Sequence, residues 1–169
     1  MITHQTMLAE LLGIFAAMFL GGFWFLPGGV LALRRLARGE TQVDLRPAYG
    51  SDTLYRVLDI YGPAGIRMFR NMLLADMIFP AVYGTLFFLI GGIAAAAHPE
   101  AARAAGVVSV MGVTAAGFDY LENIFLLVVL SRLPSRLTWV ARAAGMFTSL
   151  KLLCFVTTLS ALAKALLGS

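Results

Sequence analysis

An apolar stretch long enough to cross a membrane, residues 104–130, carries Asp119, Glu122 and Asn123 beyond its midpoint. A helix that spans the hydrocarbon core of a bilayer needs about 20 mainly apolar residues. Residues at positions i, i+3 and i+4 lie on one face of a helix, so these three side chains point the same way. Carboxylates inside a membrane usually face a bundle interior or a water-filled cavity. The sequence therefore predicts a polar site inside a membrane-embedded bundle.

The composition of the whole chain predicts a single integral-membrane domain, residues 1–169. Hydrophobic residues make up 60% of the chain and charged residues only 13%. Soluble domains, by contrast, have about 25% charged residues. The formal net charge is +4, but Lys and Arg residues lie mainly beside apolar stretches, where they set membrane orientation. No nucleic-acid partner is expected, and the single cysteine, Cys154, excludes an internal disulfide.

Four apolar stretches are long enough to cross a bilayer, at about residues 7–26, 72–97, 104–130 and 143–166. They predict an all-α fold, a four-transmembrane-helix bundle in contact with membrane lipid. In the first stretch Gly13, Ala17 and Gly21 repeat every four residues, and small residues at this spacing let another helix approach closely. If the protein works as a homodimer, this face is the expected contact.

Residues 28–62 form the least apolar part of the chain and are predicted to lie in the cytoplasm. This segment is predicted to contain a short amphipathic helix before the second span. Ser51 or Asp52 can cap this helix. Its single apolar stripe consists of Leu54, Val57, Leu58 and Tyr61. The stripe allows two interpretations, a helix lying on the membrane surface or a helix packed on the bundle. Gly62 followed by Pro63 predicts that one helix ends and the next begins.

Ionisable side chains also lie within the second and fourth predicted spans. Asp76 lies about one turn inside the second span, and Pro80 and Tyr83 follow on the same side of that helix. The proline is expected to kink the helix and to free a carbonyl group near the acid. Lys151 lies inside the fourth span, with Thr148 on the same face.

The distribution of arginine residues predicts the orientation. One group lies between the first and second spans and at the start of the second: Arg34, Arg35, Arg38, Arg46, Arg56, Arg67 and Arg70. Another group follows the third span: Arg132, Arg136 and Arg142. The opposite side carries only Arg103 and Lys164. The positive-inside rule places the two arginine-rich segments in the cytoplasm and both termini on the non-cytoplasmic side of a bacterial inner membrane.

The buried charged residues are expected at similar depths. With a helix rise of about 1.5 Å per residue, Asp76 lies about 6 Å from the cytoplasmic end of its span. Glu122 and Lys151 lie about 12 Å from that side, and Asp119 about 17 Å. This predicts one site at the centre of the bundle, in the cytoplasmic half of the membrane. Its members are Asp76, Tyr83, Asp119, Glu122, Asn123 and Lys151.

Three carboxylates and one lysine would give this site a net charge of −2 if all were ionised. Such a charge is hard to maintain in a low-dielectric interior. Three solutions are open: Arg67 or Arg70 reaches Asp76, one acid stays protonated, or a cation binds. No cofactor or metal site is expected, because the two histidines, His4 and His98, lie on the outer side. An all-oxygen site would suit magnesium or calcium.

A pattern of spaced residues runs through residues 51–83, 119–123 and 148–151. Its elements are Tyr61-Gly62, Gly65, Arg67, Asp76-x-x-x-Pro80-x-x-Tyr83, Asp119-x-x-Glu122-Asn123 and a lysine in the last span. This pattern resembles that of a group of small uncharacterised bacterial four-span membrane proteins, and it is weaker over the first span and residues 34–46. The resemblance implies the same fold and the same site residues, but no chemistry.

Three classes of function fit these features. The first is a protein that binds or translocates protons or a small polar or cationic ligand. The second is an intramembrane enzyme that acts on a lipid or other amphiphile at the cytoplasmic leaflet, with a carboxylate as general acid or base and Lys151 stabilising negative charge. The third is a structural or accessory subunit whose charges form interhelical ion pairs only. No nucleotide-binding loop, zinc-protease motif or Cys-x-x-Cys pair occurs in the sequence.

Overall fold

The computed structural model describes residues 10, 12–17, 29–37, 39–40 and 42–167. Within these ranges the chain is helical and contains no strand, which confirms the all-α prediction. The helices with defined bounds are α1 (Val30–Leu36), α2 (Ser51–Asp76), α3 (Phe79–Ala97), α4 (Ala102–Ser131) and α5 (Thr138–Leu167). Short 3-10 turns cover Val43–Leu45 and Pro99–Ala101. Most of the predicted first span, including Gly21, lies outside the described residues.

Three helical segments of the described chain are long and apolar enough to cross a membrane: Ser51–Ala97, Pro99–Ser131 and Thr138–Ala165. They overlap the second, third and fourth predicted spans. The first segment begins 21 residues before the predicted second span, the second begins five residues before the third span, and the third begins five residues before the fourth span and ends one residue short of it. Large apolar side chains on the outside of these helices are exposed, such as Phe88 (58%) and Leu153 (62%). Exposed apolar surface of this kind is expected on helices that face lipid.

Two breaks interrupt the segment formed by α2 and α3. Gly62 has φ +60°, a backbone conformation that residues with a Cβ rarely adopt, and Pro63 starts the next helical turn. The sequence prediction of a helix boundary here is confirmed. The second break lies at residues 77–78, with Pro80 in the first turn of α3. A proline ring clashes with the carbonyl group of residue i−4, so the helix ends at Asp76 rather than passing through Pro80 with a kink.

The first part of α2, before Gly62, packs on the end of the bundle where α4 ends and α5 begins. The amphipathic stripe of α2 is buried, with Leu54 and Val57 at 0% exposure. Its apolar neighbours include Leu126, Val129 and Val140 of the long helices. Burial of the stripe against the protein favours a helix packed on the bundle over a helix lying on the membrane. We refer to residues 29–61, which comprise α1, the α1–α2 connection and the start of α2, as the cap.

Helix α4 is the central element and packs along both α3 and α5. Small residues bring α3 and α4 close together. A Cβ atom added to Gly112 would lie 2.3 Å from the Phe87 Cβ atom, and one added to Gly91 would lie 2.6 Å from the Ala105 carbonyl oxygen. This close approach brings Tyr83 of α3 within reach of the carboxylates of α4. The ring of Phe15, from the described part of the first predicted span, stacks on Phe79 at 5.2 Å between centroids.

Candidate functional site

A buried ion-pair cluster joins α4 and α5. The Lys151 Nζ atom lies 2.9 Å from Asp119 Oδ1 and 2.6 Å from Glu122 Oε2. Glu122 is completely buried, Asp119 is 5% exposed and Lys151 is 9% exposed. The two acids lie three residues apart on α4, so their side chains share one helix face and a single ammonium group bridges them.

Each of these two carboxylates accepts a further hydrogen bond. The Tyr83 hydroxyl of α3 donates to Asp119 Oδ2 at 3.0 Å. The Thr148 hydroxyl, one turn before Lys151 on α5, lies in hydrogen-bonding contact with Glu122 Oε1. The Tyr83 ring is held in place by ring contacts with Phe79 and Phe155. The site therefore draws on α3, α4 and α5 at one level of the bundle.

Asp76 joins the site from the end of α2. The Asn123 Nδ2 atom donates to Asp76 Oδ2 at 2.8 Å, and Asp76 is 8% exposed. Asn123 follows Glu122 directly in α4. The negative charges of Asp76 and Asp119 lie close enough to act on each other. Ion pairs and a hydrogen bond thus join Tyr83, Asp119, Glu122 and Lys151, and a separate hydrogen bond joins Asp76 to Asn123.

The predicted arginine partners of Asp76 lie elsewhere. Arg67 and Arg70 are both exposed, and Arg70 donates to the Leu130 carbonyl oxygen at 3.2 Å, near the C-terminal end of α4. Arg67 precedes Asp76 by nine residues, which at about 100° per residue places it on the opposite side of α2. Helix geometry therefore directs this arginine away from the acid. Of the three proposed ways to balance the charge, the described contacts leave protonation and cation binding.

The α1–α2 connection contributes residues that the sequence prediction missed. Gln42 and Tyr49 are buried, with 4% and 6% exposure. The connection contacts α5 directly, because Gly145 leaves room for the Tyr49 main chain. Asp44 lies between them, partly exposed as a residue but with its Oδ1 atom enclosed. A carboxylate in a polar, arginine-rich segment looks like an ordinary surface residue in the sequence, so no local signal marks it.

Asp44 lies within electrostatic range of the buried site. Burial, and after it the negative charge of Glu122, raises the pKa of Asp44 to about 7, whereas the positive charge of Lys151 acts in the opposite direction. The charge of Asp44 also acts on Asp76. Asp44 therefore adds a fourth carboxylate within electrostatic range of Lys151. The excess of carboxylates over cations at the site is larger than the sequence analysis predicts.

Several buried oxygen atoms of the described residues have no hydrogen-bond partner. They include Gln42 Oε1, Asp44 Oδ1, Tyr49 Oη, Tyr61 Oη and Asn123 Oδ1. The charge of Asp44 acts electrostatically on both Tyr49 and Tyr61. A buried polar atom without a partner is costly, and such atoms often receive a hydrogen bond from a bound molecule. Among the described residues, no group of three or more His, Cys, Asp and Glu side chains is arranged to hold a metal ion.

No protein-family model, curated protein or solved structure matches the chain. The resemblance to small bacterial four-span membrane proteins therefore stays a prediction from the spacing of motifs. Two observations remain to guide the functional interpretation. The chain has helices long and apolar enough to span a membrane, and it carries charged side chains buried between them.

Proposed function

We propose that the protein is a bacterial inner-membrane protein whose buried site binds or translocates protons or a small polar or cationic ligand, taken up from the cytoplasmic side. The observation that carries this proposal is the excess of buried carboxylates over buried cations. Lys151 bridges Asp119 and Glu122, whereas the described partner of Asp76 is the neutral amide of Asn123. Asp44 adds one more acid.

A buried excess of negative charge needs a compensating positive charge. An isolated carboxylate in a low-dielectric interior is costly, and it normally takes up a proton or a cation. Intramembrane acids serve proton relays and ligand sites in many membrane proteins. A single interhelical ion pair requires one acid and one base, so the additional acids favour a binding function over a purely structural one.

The membrane arrangement is part of the same proposal. The first predicted span, residues 7–26, is the fourth membrane helix, and the cap with its arginine residues lies in the cytoplasm. Both termini then lie on the non-cytoplasmic side. Periplasmic and cytoplasmic reporter enzymes fused to the C-terminus test this topology. Activity of the cytoplasmic reporter alone would contradict the proposed orientation and the direction of ligand uptake.

A direct test of the site is the number of protons that the folded protein exchanges. Asp76→Asn keeps the size of the side chain and removes one titratable carboxyl group. Potentiometric titration of the purified full chain is expected to show about one proton less for this variant between pH 5 and 9. The matched control is Asp52→Asn, at an exposed carboxylate on the same helix. Equal titration curves for the wild type and Asp76→Asn would show that Asp76 exchanges no proton between pH 5 and 9.

A structural role is the second candidate, and one specific observation favours it. The ammonium group of Lys151 lies within hydrogen-bonding distance of Asp119 and Glu122, and each acid has a hydroxyl partner as well. A network of this kind holds neighbouring helices in register whether or not it binds a ligand. The double-mutant cycle described in the Discussion separates this contribution from ligand binding.

A further inference from the structure

A groove lies on the outer surface of the bundle, between the end of α4 and the start of α5. Its volume is about 490 Å³, within the range of about 300–1,000 Å³ that is usual for ligand pockets. Most of its lining is apolar and includes Ile124 and Val128 of α4 and Trp139 of α5. These three side chains are 44%, 39% and 70% exposed, so the groove opens to the surface. None of the buried carboxylates lines it.

One end of this groove is polar. Arg132 directly follows the membrane-length segment Pro99–Ser131, and it lines the groove together with Ser135. The Ser135 N–H group donates to the Arg132 carbonyl oxygen at 2.8 Å, so a turn holds the two residues side by side. Ile124 precedes Arg132 by eight residues, which is about 12 Å along a helix. A cationic end beside a long apolar wall matches the layout of a phospholipid, whose headgroup adjoins its acyl chain.

Contacts with α2 fix the chain that borders the polar end. The N–H group of Leu137, a lining residue, donates to the Tyr55 hydroxyl oxygen at 2.5 Å. The Arg136 guanidinium carbon lies 5.1 Å from the centroid of the Tyr55 ring, and Arg136 also pairs with Asp59 at 3.4 Å. The connection between α4 and α5 is thus attached to the start of α2, and the groove is part of the packed structure.

The charge around the groove favours an anionic headgroup. Among the described residues no acidic side chain forms an ion pair with Arg132, whereas Arg136 pairs with Asp59. Residues 131–142 contain three arginines and no Asp or Glu. The planar guanidinium group of arginine binds phosphate through two parallel hydrogen bonds. A zwitterionic headgroup adds a cationic amine, and no described residue that lines the groove is acidic and can pair with that amine.

We propose that this groove binds one phospholipid whose headgroup has a net negative charge. Its phosphate lies at the end formed by Arg132 and Ser135, and one acyl chain lies along the apolar walls. Basic pockets between membrane helices are known to hold anionic headgroups, and tryptophan is common at the level of the headgroups. This inference goes beyond the proposed function, because it assigns a second site that shares no residue with the buried ion-pair cluster.

The test uses Trp139 as a probe of the lipid that lies in the groove. Trp24→Phe removes the other tryptophan of the chain, so the fluorescence reports on Trp139 alone. The full chain is placed in phosphatidylcholine vesicles that contain a small fraction of lipid with brominated acyl chains, which quench tryptophan only at short range. We expect brominated phosphatidylglycerol to quench with an apparent affinity about fivefold higher than that of brominated phosphatidylcholine, the effect of one arginine near an anionic headgroup. Equal quenching by the two lipids would overturn the proposal.

Variants in the same background test whether the selectivity arises in the groove. Arg132→Gln is expected to remove about fivefold of the preference for phosphatidylglycerol. The matched control is Arg142→Gln, which removes the same charge from an exposed position of α5 that does not line the groove. This control should keep most of the preference. Equal losses in the two variants would assign the effect to general surface charge and overturn the site.

A measurement on the wild-type chain avoids any dependence on the folding of variants. Native mass spectrometry of the protein in detergent with equal amounts of the two lipids is expected to show mainly bound phosphatidylglycerol. Equal retention of both lipids, or displacement of phosphatidylglycerol by inorganic phosphate, would overturn the lipid site. The titration of Asp76→Asn involves neither Arg132 nor Trp139, so failure here and failure of the proposed function are separate results.

Discussion

The main-chain carbonyl oxygen of Tyr49 lies directly against Gly145, so closely that a Cβ atom added to this glycine would be 2.0 Å from it. This contact seats the α1–α2 connection on α5, one turn before Thr148. Thr148 in turn contacts Glu122. The absence of a side chain at Gly145 therefore allows the connection that carries Asp44 to pack on α5.

Gly145→Ala is expected to displace the connection, because the clash is with main chain that cannot change rotamer. Overpacking of this kind costs about 1–3 kcal/mol. We expect a lower Tm and faster amide hydrogen exchange over residues 42–49. Gly117→Ala is the matched control, since nothing lies within 4 Å of a Cβ atom added there. Unchanged hydrogen exchange over residues 42–49 in Gly145→Ala would show that this contact does not hold the connection.

Gly62→Ala tests the break between the amphipathic part of α2 and the rest of that helix. With φ +60° and ψ −176°, Gly62 has a conformation that is essentially confined to glycine. The alanine variant is expected to lose about 1–3 kcal/mol of stability, measured by equilibrium unfolding in detergent. Gly92→Ala, inside α3 and free of close contacts, should be neutral or slightly stabilising. Equal stabilities of the two variants would contradict the strain argument.

Tyr83→Phe removes one hydroxyl and keeps the ring between Phe79 and Phe155. Asp119 then loses the hydrogen bond that it accepts at 3.0 Å. Hydrogen bonds to charged groups contribute about 1.5–3 kcal/mol, so we expect a loss of that order in the free energy of unfolding. Tyr120→Phe, at a partly exposed position of the same helix as Asp119, is the comparison. A loss no greater than that of Tyr120→Phe would mean that the hydrogen bond contributes little.

The Lys151–Glu122 pair is suited to a double-mutant cycle. Lys151→Met leaves two buried carboxylates without their cation, and breaking a buried ion pair costs about 3–5 kcal/mol. Adding Glu122→Gln removes one of these charges, so the double variant is expected to recover part of the loss. The interaction free energy from the cycle measures the structural contribution of the pair. If the loss in the free energy of unfolding of the double variant equals the sum of the losses of the single variants, the two side chains do not stabilise each other.

Asp44→Asn should change the pH dependence of stability. The folded state holds the Asp44 proton up to about pH 7, whereas the unfolded state releases it near pH 3.8. The folded state therefore binds more protons in this interval, and the contribution of Asp44 to stability falls as pH rises from about 4 to 7. We expect the Tm of the wild type to decline more over this range than that of Asp44→Asn. Parallel Tm curves would show that Asp44 titrates normally and is not enclosed.

Local sequence patterns were sufficient to predict the three long apolar helical segments and the faces that carry the polar groups, but not the short helix α1. The length of the apolar stretches requires helices, and the i, i+3, i+4 spacing places Asp119, Glu122 and Asn123 on one side of α4. Gly62-Pro63 marks a helix boundary because only glycine tolerates that backbone conformation. These properties depend on neighbours in the chain, so they can be predicted from sequence alone.

Only the tertiary structure decided which groups meet. Lys151 contacts both Asp119 and Glu122, and Arg70 binds a carbonyl oxygen of α4 and not Asp76. The approach of Asp44 depends on the fit of a connection against a glycine about 100 residues away, and no local pattern contains that information. Local hydrophobicity and backbone preference determine which segments form helices and where they end. Long-range packing determines the charge balance of the site.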